Sequence, residues 1–114
     1  MSRAIKAAVV AFAFASQAWG DEAEAKRGKV VYETWCIACH AAGNGQPGTQ
    51  ALKVRYEGKL PAVLDERTDL APPMTRNAVR KGVSIMPFFR KTEISDRDLE
   101  ALAAYLARVR TPQP

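Results

Sequence analysis

One histidine, His40, and two cysteines, Cys36 and Cys39, are all the imidazole and thiol in this chain of 114 residues. A tetrahedral structural zinc site takes four ligands, normally from two separated pairs, and the chain lacks the side chains to build one. No apolar run approaches the roughly 20 residues that a membrane-spanning helix needs; the stretch from Ala7 to Ala15 is less than half of that. Alternation of apolar and polar residues is missing on both sides of the cysteines, from Lys26 to Trp35 and from Ala41 to Gly48, so neither flank reads as a strand. There is no internal repeat and no low-complexity tract.

What the chain does have is concentrated. Its two cysteines and its histidine fall in one run, Cys36-Ile37-Ala38-Cys39-His40. C-x-x-C-H is the spacing at which two thiols reach the two vinyl groups on one edge of a porphyrin while the next residue places an imidazole under the iron. A thioredoxin-like redox pair would sit beside a β-α-β pattern, which these flanks lack. A Cys36–Cys39 disulfide is compatible with an oxidising compartment but leaves His40 without a role.

The first twenty residues have the form of a secretory signal: Arg3 and Lys6, the apolar stretch Ala7 to Ala15, then small residues around Ala18 and Gly20. A mature chain beginning near Asp21 is expected, exported to a bacterial periplasm, with an uncleaved anchor as the alternative. Asp21-Glu22 is no stop-transfer signal, so no membrane span is expected in the mature chain. Residues 21–114 make one domain whose core is small enough to need a covalent or cofactor staple. The formal net charge of +5 loses two when Arg3 and Lys6 leave, and ionised haem propionates would offset much of the rest, so the basic balance does not indicate nucleic-acid binding.

Helix-forming residues run from Glu22 to Trp35, with Val31, Tyr32 and Trp35 on one apolar stripe. Gly28 lies on that stripe. A helical glycine costs about 1 kcal/mol relative to alanine, which close approach by another helix would offset. The expected partner is a helix from Asp96 to Arg110, whose apolar face is Leu99, Leu102, Leu106 and Val109, flanked by Tyr105. Ser95 and Asp98 form a near capping box at its start, Arg108 and Arg110 suit its C-terminal dipole, and Pro112 stops it. Between these helices, Ala42 to Gly48 reads as a loop, Leu60 to Leu64 as a short helical turn begun by Pro61, and Pro72 to Lys81 as a third helix closed by Gly82. The fold class is all-α.

With C-x-x-C-H preceded by Gly28 and Tyr32 and followed by Met86-Pro87 and then Leu102, Tyr105 and Leu106, the chain resembles the class I cytochromes c over nearly all of residues 21–110, with 111–114 as a C-terminal tail. The resemblance implies N- and C-terminal helices crossing over a covalently bound haem, Gly28 lying against Leu102 and Tyr105. It implies one haem c, with thioethers from Cys36 and Cys39, His40 as one axial ligand and Met86 as the other. No second histidine exists to compete, and the rival thioether, Met74, falls inside the third helix as core. The resemblance also implies a proline carbonyl that accepts the proton of the ligating histidine's other nitrogen, for which Pro47 is the candidate.

Leu60 to Leu70 and Met86 to Asp96 look, more narrowly, like the small cytochrome subunits of flavin-containing alkylphenol hydroxylases of the 4-cresol methylhydroxylase type, although Ala71 and Pro72-Pro73 replace the usual threonine cap, leaving Thr68 or Asp69 to cap less directly. This implies a one-electron carrier that is not itself a catalyst. Its partners would be an FAD-containing oxidoreductase subunit, in a hetero-oligomer, and a downstream redox protein. Phe88-Phe89 beside Arg90-Lys91 have the aromatic core and basic rim of an interface. The alternatives are a freely diffusing periplasmic cytochrome c serving a terminal oxidase or reductase, and a five-coordinate haem for peroxide or gas, assisted by Arg80, Arg90 or Arg55.

Overall fold

The computed structural model describes residues 21–108. The signal sequence assigned to 1–20, the end of the last helix at Val109 and Arg110, and the tail 111–114 lie outside the described residues. Helix α1 covers 21–35, α2 Ile37–His40, α3 Pro47–Tyr56, a 3₁₀ turn Leu64–Glu66, α4 Pro72–Lys81 and α5 Asp96–Arg108. Among the described residues the only β pairing is an isolated bridge between Val83 and Met86, so the fold is all-α. No helix among them is long and apolar enough to cross a membrane.

The scaffold is the crossing of α1 and α5. Tyr32, Leu102, Ile94 and Leu106 are buried there with Val31, Leu99, Leu70 and Val79, and each large apolar side chain removed from water contributes about 1.5–3 kcal/mol. Gly28 sits at the closest approach: a Cβ on it would lie 2.6 Å from both the Ala101 carbonyl carbon and Tyr105 Cβ. The residue beneath it is therefore Ala101 and not Leu102, which is turned into the core. The Tyr32 and Tyr105 rings meet at 5.7 Å, and Arg27 pairs with Asp98 at 2.7 Å across the same seam. Ser95 Oγ accepts from the Asp98 amide at 3.1 Å and caps α5; Asp98, engaged by Arg27, does not complete the box.

Helix α4 lies along α5 with Val79 in the core and a bidentate Arg76–Glu100 pair at 2.7 and 2.8 Å on the outside. Gly82 ends it as expected, with φ 71° and its amide on the Ala78 carbonyl at 2.8 Å. Its N-cap is Ala71, which makes no side-chain cap bond, and Asp69 is engaged by Arg67 instead.

Two expectations are corrected. The loop read from Ala42 to Gly48 ends early, because α3 begins at Pro47, where a proline's missing N–H and fixed φ are tolerated in the first turn. The helical turn placed at Leu60 to Leu64 is a 3₁₀ turn at Leu64–Glu66, since its bonds are Glu66 N–H to Val63 O and Arg67 N–H to Leu64 O, both 3.1 Å.

Candidate functional site

The C-x-x-C-H run forms a single helical turn directly after α1. The amides of Cys39 and His40 both donate to the Cys36 carbonyl, at 3.1 and 3.0 Å, so Cys36, Cys39 and His40 stand at i, i+3 and i+4 on one face. Cys36 is half-buried against the core and Cys39 is exposed; both thiols are free. Burial, then the nearby Cys39 and Asp65, push the Cys36 thiol up to about 12.

Burial lowers the His40 pKa, which favours the neutral imidazole that ligates metals. Its Nδ1 is buried without a hydrogen-bond partner. Beside it runs the first turn of α3: a Cβ on Gly48 would lie 2.7 Å from His40 Cε1, 2.9 Å from Nδ1 and 2.7 Å from the Cys39 carbonyl oxygen. Pro47, whose carbonyl is the candidate acceptor for His40 Nδ1–H, immediately precedes this contact, and no bond to Nδ1 is formed among the described residues.

Met86 is half-buried in a tight turn closed from both sides, Val83 N–H to Met86 O at 3.1 Å and Met86 N–H to Val83 O at 2.9 Å. The turn is tied to α4 by the Phe89 amide on the Val79 carbonyl at 2.7 Å, and by Arg80, which donates to the Phe89 carbonyl at 3.1 Å and to Asp96 at 2.9 Å. Phe89 meets the edge of Trp35 with ring centroids 5.9 Å apart. That contact joins the segment three residues beyond Met86 to the residue just before Cys36. Met74 is 48% exposed on α4, so its assignment to the core is corrected. The arginines considered for peroxide chemistry have other contacts: Arg80 ties the Met86 turn, Arg90 pairs with Glu93 at 3.7 Å, and Arg55 lies 5.9 Å from the Tyr56 ring centroid.

The residues fit a haem. Trp35 and Ile37 beside the cysteines, and Val83, Ile85 and Phe88 around Met86, show large apolar side chains that are 40–71% exposed. A porphyrin is an apolar plate, and exposed apolar side chains beside both ligand candidates suit its chemistry. The half-buried imidazole and the two free thiols on one turn supply the rest.

Other residues near the site carry no sequence signal. Arg67 is 2% exposed; its Nε and Nη2 each donate to an Asp69 carboxylate oxygen at 2.6 Å, and its guanidinium lies 4.7 Å above the Tyr56 ring. Thr49 is fully buried with its hydroxyl on the Ala41 carbonyl at 2.7 Å. Nothing in the spacing of Arg67 and Thr49 separates them from solvated polar residues. Tyr105, already marked beside the apolar face of α5, donates to Asp65 at 3.2 Å and fastens the 3₁₀ turn to α5.

Residues 23–106 match the family described as cytochrome C oxidase, cbb3-type, subunit III. The chain belongs to that family and is a class I c-type cytochrome, an electron carrier with covalently bound haem c. No curated protein and no solved structure matches it.

Proposed function

We propose that this cytochrome is an exported, periplasmic one-electron carrier in which Cys36 and Cys39 hold a single haem by thioethers and His40 and Met86 are the axial ligands. The observation that carries the assignment is the helical turn that puts both thiols and a half-buried imidazole on one face. When bound, the haem supplies ferric–ferrous cycling at a potential that methionine ligation raises. The chain's own part is positional. The α1–α5 crossing anchors the Cys36 end of the motif, the Trp35–Phe89 contact holds the Met86 turn against it, and His40 and Met86 together would hold the iron and leave substrates no place on it. Pro47 supplies the carbonyl proposed to accept from His40 Nδ1–H.

The partner we propose is an FAD-containing alkylphenol-oxidising subunit that delivers electrons singly to the cytochrome, which passes them to a downstream redox protein. Support comes from the resemblance of Leu60 to Leu70 and Met86 to Asp96, and from Phe88, 59% exposed and followed within three residues by exposed Arg90 and Lys91. Co-expression with a flavoprotein encoded beside the cytochrome should give a complex that survives gel filtration and whose haem is reduced on adding a 4-alkylphenol. Mass spectrometry of the cytochrome should show one haem that resists acid-acetone extraction. An unmodified mass overturns the haem assignment; a haem-loaded cytochrome that elutes alone and reduces a terminal oxidase makes it a freely diffusing carrier.

A further inference from the structure

Of the α2 carbonyls, that of Ile37 accepts from the Ala41 amide at 3.1 Å, and the start of α3 brings further donors to the turn. Gln46, the N-cap of α3, has its side-chain amide against two of these carbonyls. Oriented by the surrounding acceptors, Nε2 donates to the Ile37 carbonyl at 3.1 Å and to the Ala38 carbonyl at 2.7 Å. An amide nitrogen carries two N–H donors, so both are spent on the turn between the two cysteines. Three residues on, the buried Thr49 hydroxyl donates to Ala41, the C-cap of α2. Between them Gly48 brings the α3 backbone against the His40 ring, with no room for a side chain. Three residues of one turn thus grip the motif at Ile37, Ala38, His40 and Ala41.

We propose that Gln46 is a positioning residue for the haem ligand: by cross-linking the Ile37 and Ala38 carbonyls to α3, it fixes the motif turn and, through it, the plane of the His40 imidazole. Without those two bonds the turn keeps its thioether positions in sequence but loses the brace that sets its rotation against α3. Thr49 braces the far end of the same turn. The imidazole then has Gly48 as a wall but no fixed distance from it.

The proposal rests on His40 being the iron ligand. The test uses the holo-protein, with Gln46→Leu removing the donors at similar bulk and Gln46→Lys restoring N–H donors at similar reach. The readout is the set of haem methyl resonances of the ferric protein, whose order and spread follow the orientation of the axial imidazole, taken together with the reduction potential. Gln46→Leu should carry one haem, shift the methyl pattern and lower the yield of haem attachment several-fold, and Gln46→Lys should return the pattern toward wild type. A haem-loaded Gln46→Leu with an unchanged pattern overturns the proposal, as do equal shifts in the Leu and Lys variants. If Gln46→Leu does not fold, Thr49→Val against Thr49→Ser tests the same brace at Ala41: only Val should move the pattern, and an unmoved pattern overturns the brace. A wild-type protein that takes up no haem would instead sink the ligand assignment, which keeps the two failures distinct.

Discussion

Replacing Gly28 by alanine sets two effects of opposite sign against each other. In an open helix the change stabilises by about 1 kcal/mol, because alanine loses less backbone freedom on folding. At Gly28 the new Cβ would lie 2.6 Å from the Ala101 carbonyl carbon and from Tyr105 Cβ. Carbon atoms pack best at about 3.5–4.0 Å, so α1 and α5 must part by about 1 Å at the crossing. A gap of that size forfeits a quarter to a half of the dispersion well for each contact it opens, here around Val31, Tyr32 and Leu102. Overpacking of this kind costs about 1–3 kcal/mol. With the propensity gain set against the upper part of that range, the net loss is about 1–2 kcal/mol, a drop of roughly 5–10 °C in Tm for a domain of this size.

The nature of the obstacle gives a sharper test. Two of the three closest atoms belong to the Ala101 carbonyl, which no rotamer change can move. Ala101→Gly leaves that carbonyl in place, so the Gly28→Ala/Ala101→Gly double variant should be no more stable than the sum of its singles. Denaturant midpoints of the holo-proteins decide it, with Ala51→Gly on the exposed face of α3 as calibration for propensity, expected to cost about 1 kcal/mol. Gly28→Ala at or above the wild-type midpoint, or rescue by Ala101→Gly, would refute backbone contact as the reason for the glycine.

At the haem, Met86→Ala should leave the group attached but abolish the weak methionine-to-iron absorption band of the ferric protein. It should also lower the reduction potential by something of the order of 0.1 V, within the roughly 0.8 V that axial ligands span; Met74→Ala, at an exposed position, should do neither, and the reverse outcome makes Met74 the ligand. The acid limb of stability should depend on α5: Lys91, then Arg80, hold the Asp96 carboxyl below the ordinary carboxylate range, and Arg76 does the same for Glu100. Depressed values mean that the contribution is complete above the unfolded pKa of about 4 and lost as pH falls through the folded values. The Asp96→Asn/Glu100→Gln variant should therefore show a shallower fall in Tm between pH 5 and 2, most clearly at low salt, and an unchanged slope would show that these pairs carry none of it.

What could be read from the chain was local. The helices at 21–35, Pro72–Lys81 and Asp96–Arg108 each advertise themselves by an apolar stripe or by end signals, Ser95 before α5 and Gly82 after α4, because the physics that forms them acts within a few residues. The C-x-x-C-H turn was legible for the same reason. Helix α3 was not: Thr49 is its one buried residue, so it has no stripe, and Pro47-Gly48 carry the composition of a loop while occupying a helical first turn. Its local signal is weak because its task is to serve another element, meeting carbonyls of α2 through Gln46 and that of its C-cap Ala41 through Thr49, and backing His40 with Gly48.

The partner of Gly28 shows the same boundary at finer scale. Ala101 and Leu102 differ by one step, about 100° around α5, and both are buried, so burial cannot choose between them. Close approach can. A glycine on one helix removes the side chain that separates the backbones, and the backbone it then meets is the Ala101 carbonyl, while Leu102 is turned inward to the core. Arg67 follows from the same kind of reasoning: a cation at 2% exposure is tolerable only because Asp69 and the Tyr56 ring arrive from other points of the loop and helix to meet it. Each of these positions is decided by what lies opposite in space, and a motif read along the chain contains only what lies beside it in sequence.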